Sequence, residues 1–168
     1  MATDCLGMDG PFGIMKGFDM TSTRRQAREW AIQMLTAADL NPPDDIAQFI
    51  ATQWEQISSL DEDDGGPVRL KSATRRFAEE RVAGVLTHLK EIDAIIEPLL
   101  ENWDLYRLGT VERTVIRMGI WEIAYSDVPA PVAINEAIDL TNWFASPKSR
   151  TIVNGVLDKY AKSNARKS

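Results

Sequence analysis

The stretch TVERTVIRMGIWEI, residues 110–123, decides the fold, because it reads as a helix that is apolar on most of its sides. Its apolar residues recur around the whole helical circumference and not along one stripe: Val111, Val115, Ile116, Met118, Ile120, Trp121 and Ile123. A helix of this kind is buried by several neighbours at once. The sequence therefore predicts a central helix around which the rest of the chain packs.

Amphipathic helices are predicted on both sides of this central helix, because apolar residues recur at spacings of three and four and no stretch alternates like a strand. Pro98 lies inside one of these patterns, so a kink or a new helix start is expected there. Three helices are predicted with both ends, at residues 24–38, 70–90 and 92–103. Four more are predicted by their starts alone, at residue 44 or 45 and at residues 110, 131 and 147. The sequence thus predicts an all-α fold of about seven helices without a sheet.

Length and composition indicate a globular chain. It has 168 residues, a length that suits one domain or two closely joined subdomains. Of these residues 44% are hydrophobic and 26% charged, so the chain can form a hydrophobic core. Cys5 is the single cysteine, so no disulfide within the chain is expected. The sequence shows neither a signal peptide nor an apolar run long enough to span a membrane, so a cytoplasmic protein is expected.

Histidine and cysteine, which commonly serve as catalytic bases, nucleophiles and metal ligands, are scarce in this sequence. His88 is the single histidine and falls within a helical pattern, while Cys5 lies in the N-terminal stretch, so a nucleophile activated by histidine is not expected. Zinc lacks ligands, the acidic stretch 61–66 departs from the calcium-loop template, and no glycine-rich phosphate loop occurs. The sequence therefore predicts a protein without catalytic residues, metal or cofactor, and not an enzyme.

A basic cluster opens the first predicted helix, although the net charge of the chain is −6. Arg24, Arg25 and Arg28 lie in the opening turns, where the helix dipole disfavours each cation by about 0.3–1 kcal/mol. Residues that break a local rule are often functional, and free N–H groups beside guanidinium groups suit a phosphate. A solvated basic face, partly offset by Glu29, explains the pattern equally well. Anion binding and a solvated face both stay open on this evidence.

Four segments together carry a family resemblance. An arginine-rich helix opening is followed by LGTVERTVIR, then by VAINEAIDL and VNGVLD, at residues 24–35, 108–117, 132–140 and 153–158. The last two segments are the more specific. In this order and spacing the four resemble the NusB family of bacterial transcription antitermination factors, over about residues 24–160.

The resemblance implies two small helical bundles, a three-helix subdomain at 21–91 and a four-helix subdomain at 92–168. Residues 1–20 are rich in glycine and methionine without a helical period, so a flexible N-terminal extension is expected there. The resemblance also implies an adaptor that binds boxA-type nascent RNA together with NusE, a ribosomal protein of the small subunit. The adaptor would join an antitermination complex on RNA polymerase, chiefly in ribosomal RNA operons. The alternative is a homodimerising protein-interaction module that does not bind RNA, since a partner copy can cover an arginine face.

Matching positions in the family imply roles for individual residues. Lys148 stands where relatives often carry an acid, which adds a cation on the expected path of the RNA backbone. Asn135 and Asn154 have apolar neighbours and are expected to be buried polar residues that fix helix packing. RNA contacts are expected from Arg24, Arg25, Arg28, Gln33, Arg113 and Lys148. Contacts with the partner protein are expected from Glu112, Arg117 and Ile152.

Overall fold

The computed structural model describes residues 23–61, 72–102 and 104–167. Two short 3-10 turns, Glu97–Leu99 and Leu105–Arg107, connect the fourth helix to the fifth. The all-α prediction is confirmed for the described residues. The expected extension at 1–20 lies outside them, as does most of the acidic stretch 61–66. The helices are α1 (Thr23–Leu40), α2 (Ile46–Asp61), α3 (Ser72–Thr87), α4 (Leu89–Ile96), α5 (Thr110–Tyr125), α6 (Ala130–Phe144) and α7 (Pro147–Lys167).

Helix α5 is the centre of the molecule, as its apolar circumference predicts. Every residue from 113 to 122 is buried. α5 packs against α1, α3, α4, α6 and α7, so almost every side of it meets another helix. The three charged residues in this buried stretch, Arg113, Arg117 and Glu122, are therefore enclosed together with the apolar ones.

Local signals set several helix ends. Asp45 precedes α2, and its Oδ1 accepts a hydrogen bond from the Gln48 backbone N–H at 3.0 Å, which satisfies one free donor of the helix start. α4 ends at Ile96, and Pro98 lies in the 3-10 turn that follows. The irregularity expected at Pro98 is therefore a helix end and not a kink. None of the helices in the described ranges has the length and apolar character needed to cross a membrane.

Gly84 allows α3 to approach α5 closely. A Cβ atom at this position would lie 2.2 Å from Nε1 of the Trp121 indole, which is itself 5% exposed. No side chain fits in that space unless the ring moves. Gly84 thus forms a contact between the α3 backbone and the large aromatic ring of Trp121.

One expectation from the sequence is wrong. Asn135 on α6 and Asn154 on α7 are both exposed, so neither is a buried polar residue that fixes helix packing. Their helices bury other faces instead, with Ala133 and Ala137 inward on α6 and Val153 and Leu157 inward on α7. The division into subdomains at residues 91 and 92 stays a prediction.

Candidate nucleic-acid interface

The three arginines at the start of α1 have three different environments. Arg24 is exposed, and its guanidinium carbon lies 5.6 Å from the centroid of the Phe77 ring. Arg25 is partly exposed and donates to Asp139 Oδ2 at 2.6 Å and to Glu136 Oε2 at 3.2 Å. These two ion pairs tie the first turns of α1 to α6. Arg25 can therefore offer only part of its guanidinium to a ligand.

Arg28 belongs to the protein interior, contrary to the role expected for it. It is 3% exposed, and its Nε and Nη2 donate to the two carboxylate oxygens of Glu122 at 2.9 and 2.7 Å. Arg81 on α3 donates to the same carboxylate at 3.0 Å and is 2% exposed. We call these three residues the Glu122 cluster. Because Glu122 satisfies Arg28 inside the core, Arg28 is not placed to contact an RNA backbone in this structure.

Arg113 and Arg117 form a second buried network, the Asp39 cluster, with Asp39 and Asp93. Arg117 donates to both oxygens of Asp93 at 2.8 Å and to Asp39 Oδ1 at 2.7 Å. Arg113 is hydrogen-bonded to Asp39 Oδ2 and donates to the Leu108 carbonyl at 3.0 Å. The expected RNA contact of Arg113 and partner contact of Arg117 do not fit this burial.

Glu29 is a buried acid without a firm partner. Its side chain is on α1, the residue is 7% exposed, and Oε1 makes no hydrogen bond to any described residue. Burial raises the pKa of Glu29 to about 7, the charge of Arg25 acts in the opposite direction, and the charge of Glu136 raises the pKa further. Glu29 therefore changes protonation state near neutral pH, next to the ion pairs of Arg25.

Replacing Glu29 by glutamine is expected to stabilise the protein at pH 8. The folded pKa is raised above the ordinary value of 4.5, so the ionised form is disfavoured in the fold, and stability falls as pH rises from 4.5 to 7. Glutamine removes this cost, which is on the order of 1–3 kcal/mol. Urea unfolding at pH 8 and pH 4.5 measures it: the gain should be present at pH 8 and nearly absent at pH 4.5. An equal offset at both pH values would contradict the assignment, and the exposed Glu55→Gln serves as the control.

A second basic region lies where α7 begins. Lys148 and Arg150 are exposed, and neither forms an ion pair with a residue that the structure describes. Between them, Ser149 is buried and its hydroxyl is hydrogen-bonded to Oε1 of Glu112, at the start of α5. The structure therefore places the Glu112 side chain against Ser149, the residue that follows Lys148, and Glu112 is engaged by that hydroxyl.

Ile152 lies in a shallow groove one turn further along α7. The groove is lined on the other side by Leu99 and Asn102, and continues along α7 past Gly155 to Lys159. Ile152 is half-buried, so part of its side chain is available. We call this feature the α7 groove. Gln33, the remaining predicted RNA contact, is half-buried on α1.

Arg24 lies at the edge of another groove, which we call the α1 groove. Phe77, the segment Ser126–Pro129 and Val132 are among the residues that line it, and its volume is about 400 Å³. Val132 is 44% exposed, and Glu136 lies in the same groove. The α1 groove thus combines the exposed Arg24, whose guanidinium lies over the Phe77 ring, with exposed apolar surface at the junction of α1, α3 and α6.

Sequence reasoning missed the partners of the buried arginines: Glu122, Arg81, Asp39 and Asp93. A signal was present for Glu122, since it stands beside Trp121 in a helix predicted to be buried all round, and a buried acid requires a partner. No comparable signal identified Asp93, because its partner Arg117 is 24 residues away.

In the described ranges, α1, α3, α4, α6 and α7 pack around the enclosed α5, and exposed cations lie where α1 and α7 begin. These features define an all-α protein with charged surfaces at helix N-termini. The model of the NusB family matches residues 25–162, and the chain belongs to this family. Among its relatives, the transcription antitermination protein NusB of Oleidesulfovibrio alaskensis is 38% identical, over 84% of this chain and 89% of the relative. The protein of the same name from Wolinella succinogenes is 39% identical, over 82% of this chain and 93% of the relative.

Solved structures agree with this assignment. NusB of T. maritima superimposes with a TM-score of 0.70 at 27% identity, covering 85% of this chain and 93% of that one. A structure of the antitermination factors NusB and NusE in complex with double-stranded RNA superimposes with a TM-score of 0.65 at 27% identity, covering 86% of this chain and 99% of that one. The predicted family and fold class are therefore confirmed.

Proposed function

We propose that this chain is an adaptor of transcription antitermination that binds boxA-type nascent RNA together with NusE, within a complex on RNA polymerase. Its role is to bind, without catalysing a reaction, and it acts in the cytoplasm. Family membership and the likeness to a NusB–NusE–RNA structure support the proposal. The observation that carries it is the placement of free cations, Arg24 at the start of α1 and Lys148 with Arg150 at the start of α7.

The free cations lie towards opposite ends of α6. Val132, near the start of α6, shares the α1 groove with Arg24, while Lys148 follows the end of α6 by four residues. α6 has 15 residues, so these ends are separated by roughly 22 Å. An RNA strand that follows α6 would first meet the N-terminus of α1 with the guanidinium of Arg24. It would then meet the N-terminus of α7 with the ammonium of Lys148. Each position suits a phosphate.

The α7 groove is the proposed contact for NusE. Ile152 supplies a partly exposed apolar side chain, and Lys159 with Glu101 supplies a charged rim, since their side chains pair at 2.8 Å. An apolar centre with a charged rim is the ordinary anatomy of a protein interface. Ser149, which is hydrogen-bonded to Glu112, lies along α7 between Lys148 and the groove residue Ile152, so RNA and NusE would bind to neighbouring surfaces.

Replacing Arg24 and Lys148 by alanine together is expected to weaken boxA RNA binding by about tenfold or more. Two phosphate contacts are removed, so the slope of log affinity against log salt should also become shallower, by about 1.4 for a single strand. Fluorescence anisotropy with a labelled boxA oligonucleotide at several salt concentrations measures both quantities.

The matched control is Arg76→Ala with Lys90→Ala, which removes the same charge from exposed positions on α3 and α4. An equal loss in the control would mean that only overall charge matters, and an unchanged slope in the test variant would remove the proposed RNA path. A tight dimer that RNA does not dissociate, seen by light scattering, would favour the homodimer alternative.

A further inference from the structure

One large aromatic side chain near the end of α6 lies at the surface. Trp143 is 51% exposed, whereas Trp30, Trp54 and Trp121 are no more than 5% exposed and belong to the core. An indole that stays half in water forgoes much of the free energy that its burial would supply. Trp143 is therefore a candidate for contact with a ligand or a partner.

Trp143 is the last residue of a stripe along one face of α6. Residues on this face are separated by four, three and four positions, so they lie above one another on the helix. They are Val132, Glu136, Asp139 and Trp143, and we call them the α6 stripe. Val132 lines the α1 groove together with Arg24, and Lys148, in the first turn of α7, follows Trp143 by five residues. The stripe therefore begins at the groove that holds Arg24 and ends shortly before Lys148.

The middle of the α6 stripe suits a phosphate poorly. Glu136 and Asp139 both accept hydrogen bonds from Arg25, at 3.2 and 2.6 Å, so one guanidinium faces two carboxylates. The side chain of Asp139 is 41% exposed, so a phosphate on this part of the surface meets a carboxylate, and like charges repel. An RNA strand that runs from Arg24 to Lys148 therefore needs an uncharged contact on its way.

An exposed indole can supply an uncharged contact of this kind. Nucleic-acid bases stack on aromatic side chains, and stacking depends on the face of the base and not on a charge. Single-stranded RNA is commonly recognised in this way, with unstacked bases placed on protein rings. The indole of Trp143 is thus chemically suited to the stretch of surface where phosphate contacts are disfavoured.

The neighbours of Trp143 favour RNA over a protein partner. Asn142 and Ser146 are exposed and polar, and Asp139 is the preceding member of the stripe. The core of a protein interface is a continuous apolar patch from which charged residues are depleted. A single indole among polar and acidic residues, with cations beyond it on both sides, does not have this composition.

We propose that Trp143 stacks on one base of the RNA strand that runs between Arg24 and Lys148. The two cations hold the phosphate backbone, and the indole holds a base close to the second cation. This inference rests on the proposed function and adds a residue to the same binding surface. It gives Trp143 a contribution to affinity that does not change with salt, because no phosphate contact is involved.

Fluorescence anisotropy with a labelled single-stranded boxA oligonucleotide tests this role. Trp143→Ala should weaken binding about tenfold, as expected for the loss of one stacked base, while Trp143→Tyr should weaken it no more than about threefold. The slope of log affinity against log salt should keep its wild-type value in both variants. Leu40→Ala is the matched control, because it removes a side chain that is 66% exposed, at the opposite end of α1 from Arg24, and it should not change the affinity.

Oligonucleotides that each lack one base locate the stack. Removal of one particular base should weaken wild-type binding about tenfold and leave binding to Trp143→Ala unchanged, with circular dichroism showing that this variant is folded. If the wild type does not bind the RNA, the proposed function and this inference fail together. If the wild type binds and a folded Trp143→Ala binds equally well, or no base shows this coupling, the inference alone fails. Reduced retention of NusE by Trp143→Ala at unchanged RNA affinity also overturns it, since the indole then contacts the protein partner.

Discussion

Replacing Glu122 by glutamine is expected to lower the free energy of unfolding by about 3–5 kcal/mol, the range for a buried ion pair that loses one partner. Glu122 is 1% exposed and is the carboxylate for both Arg28 and Arg81. Glutamine keeps the shape but removes the charge, so Arg81 loses its carboxylate partner in the core and Arg28 keeps only the more distant Glu136, at 3.9 Å. One of the oxygens also becomes an amide nitrogen, which cannot accept from either arginine.

Urea unfolding at pH 7, followed by circular dichroism, measures this loss. Glu91→Gln on α4 is the control: it removes one exposed acid and should change stability by no more than about 0.5 kcal/mol. A triple variant, with methionine at positions 28, 81 and 122, removes the whole Glu122 cluster, and it should recover a large part of the stability because no buried charge is left over. A triple variant as unstable as Glu122→Gln would mean that shape, and not charge pairing, explains the loss.

The fold could be predicted from the sequence because the spacing of apolar residues shows which faces of each helix are buried. The circumference of α5 and the stripes of its neighbours predict which helix is central, and the structure confirms it. Helix ends were also predictable where proline or an acid marks them, as at Asp45 and Pro147. These signals are local, so one sequence contains them in full.

The roles of individual charges were harder to predict, because they depend on partners far away in the chain. Arg28 and Glu122 are separated by 94 residues, and Arg113 and Asp39 by 74. A basic cluster at a helix start has the same sequence signature whether an arginine points to solvent, as Arg24 does, or into the core, as Arg28 does. The family resemblance assigned binding roles to Arg28, Arg113 and Arg117, which the structure buries in ion pairs. Arg24 and Lys148, which it also assigned to RNA, are exposed, and their roles stay predictions.

Asp39→Asn is expected to destabilise the protein at pH 7 by about 2–4 kcal/mol, slightly less than the Glu122 variant, because the side chain of Asp39 is 12% exposed. Burial raises the pKa of Asp39, but hydrogen bonds from Arg113 and Arg117 outweigh it and hold the pKa below its ordinary value of 3.8. Asparagine keeps one acceptor oxygen but removes the charge, so Arg113 loses its carboxylate partner, while Arg117 keeps Asp93.

The pH dependence of the Asp39→Asn loss separates charge pairing from packing. Because the folded pKa is lowered, Asp39 stabilises the wild type fully above pH 3.8, and this contribution is lost as pH falls through the lower folded value. The loss in free energy of unfolding caused by Asp39→Asn should therefore be largest near pH 7 and smaller below pH 3.8. Glu29→Gln is expected to change stability in the opposite direction, since it stabilises the protein at high pH. Urea unfolding at pH 7 and at pH 3 tests this, with Asp44→Asn at an exposed position as the control. A difference of the same size at both pH values would show that Asp39 acts through its shape, and α1 would then be joined to α5 by packing and not by the charge of the Asp39 cluster.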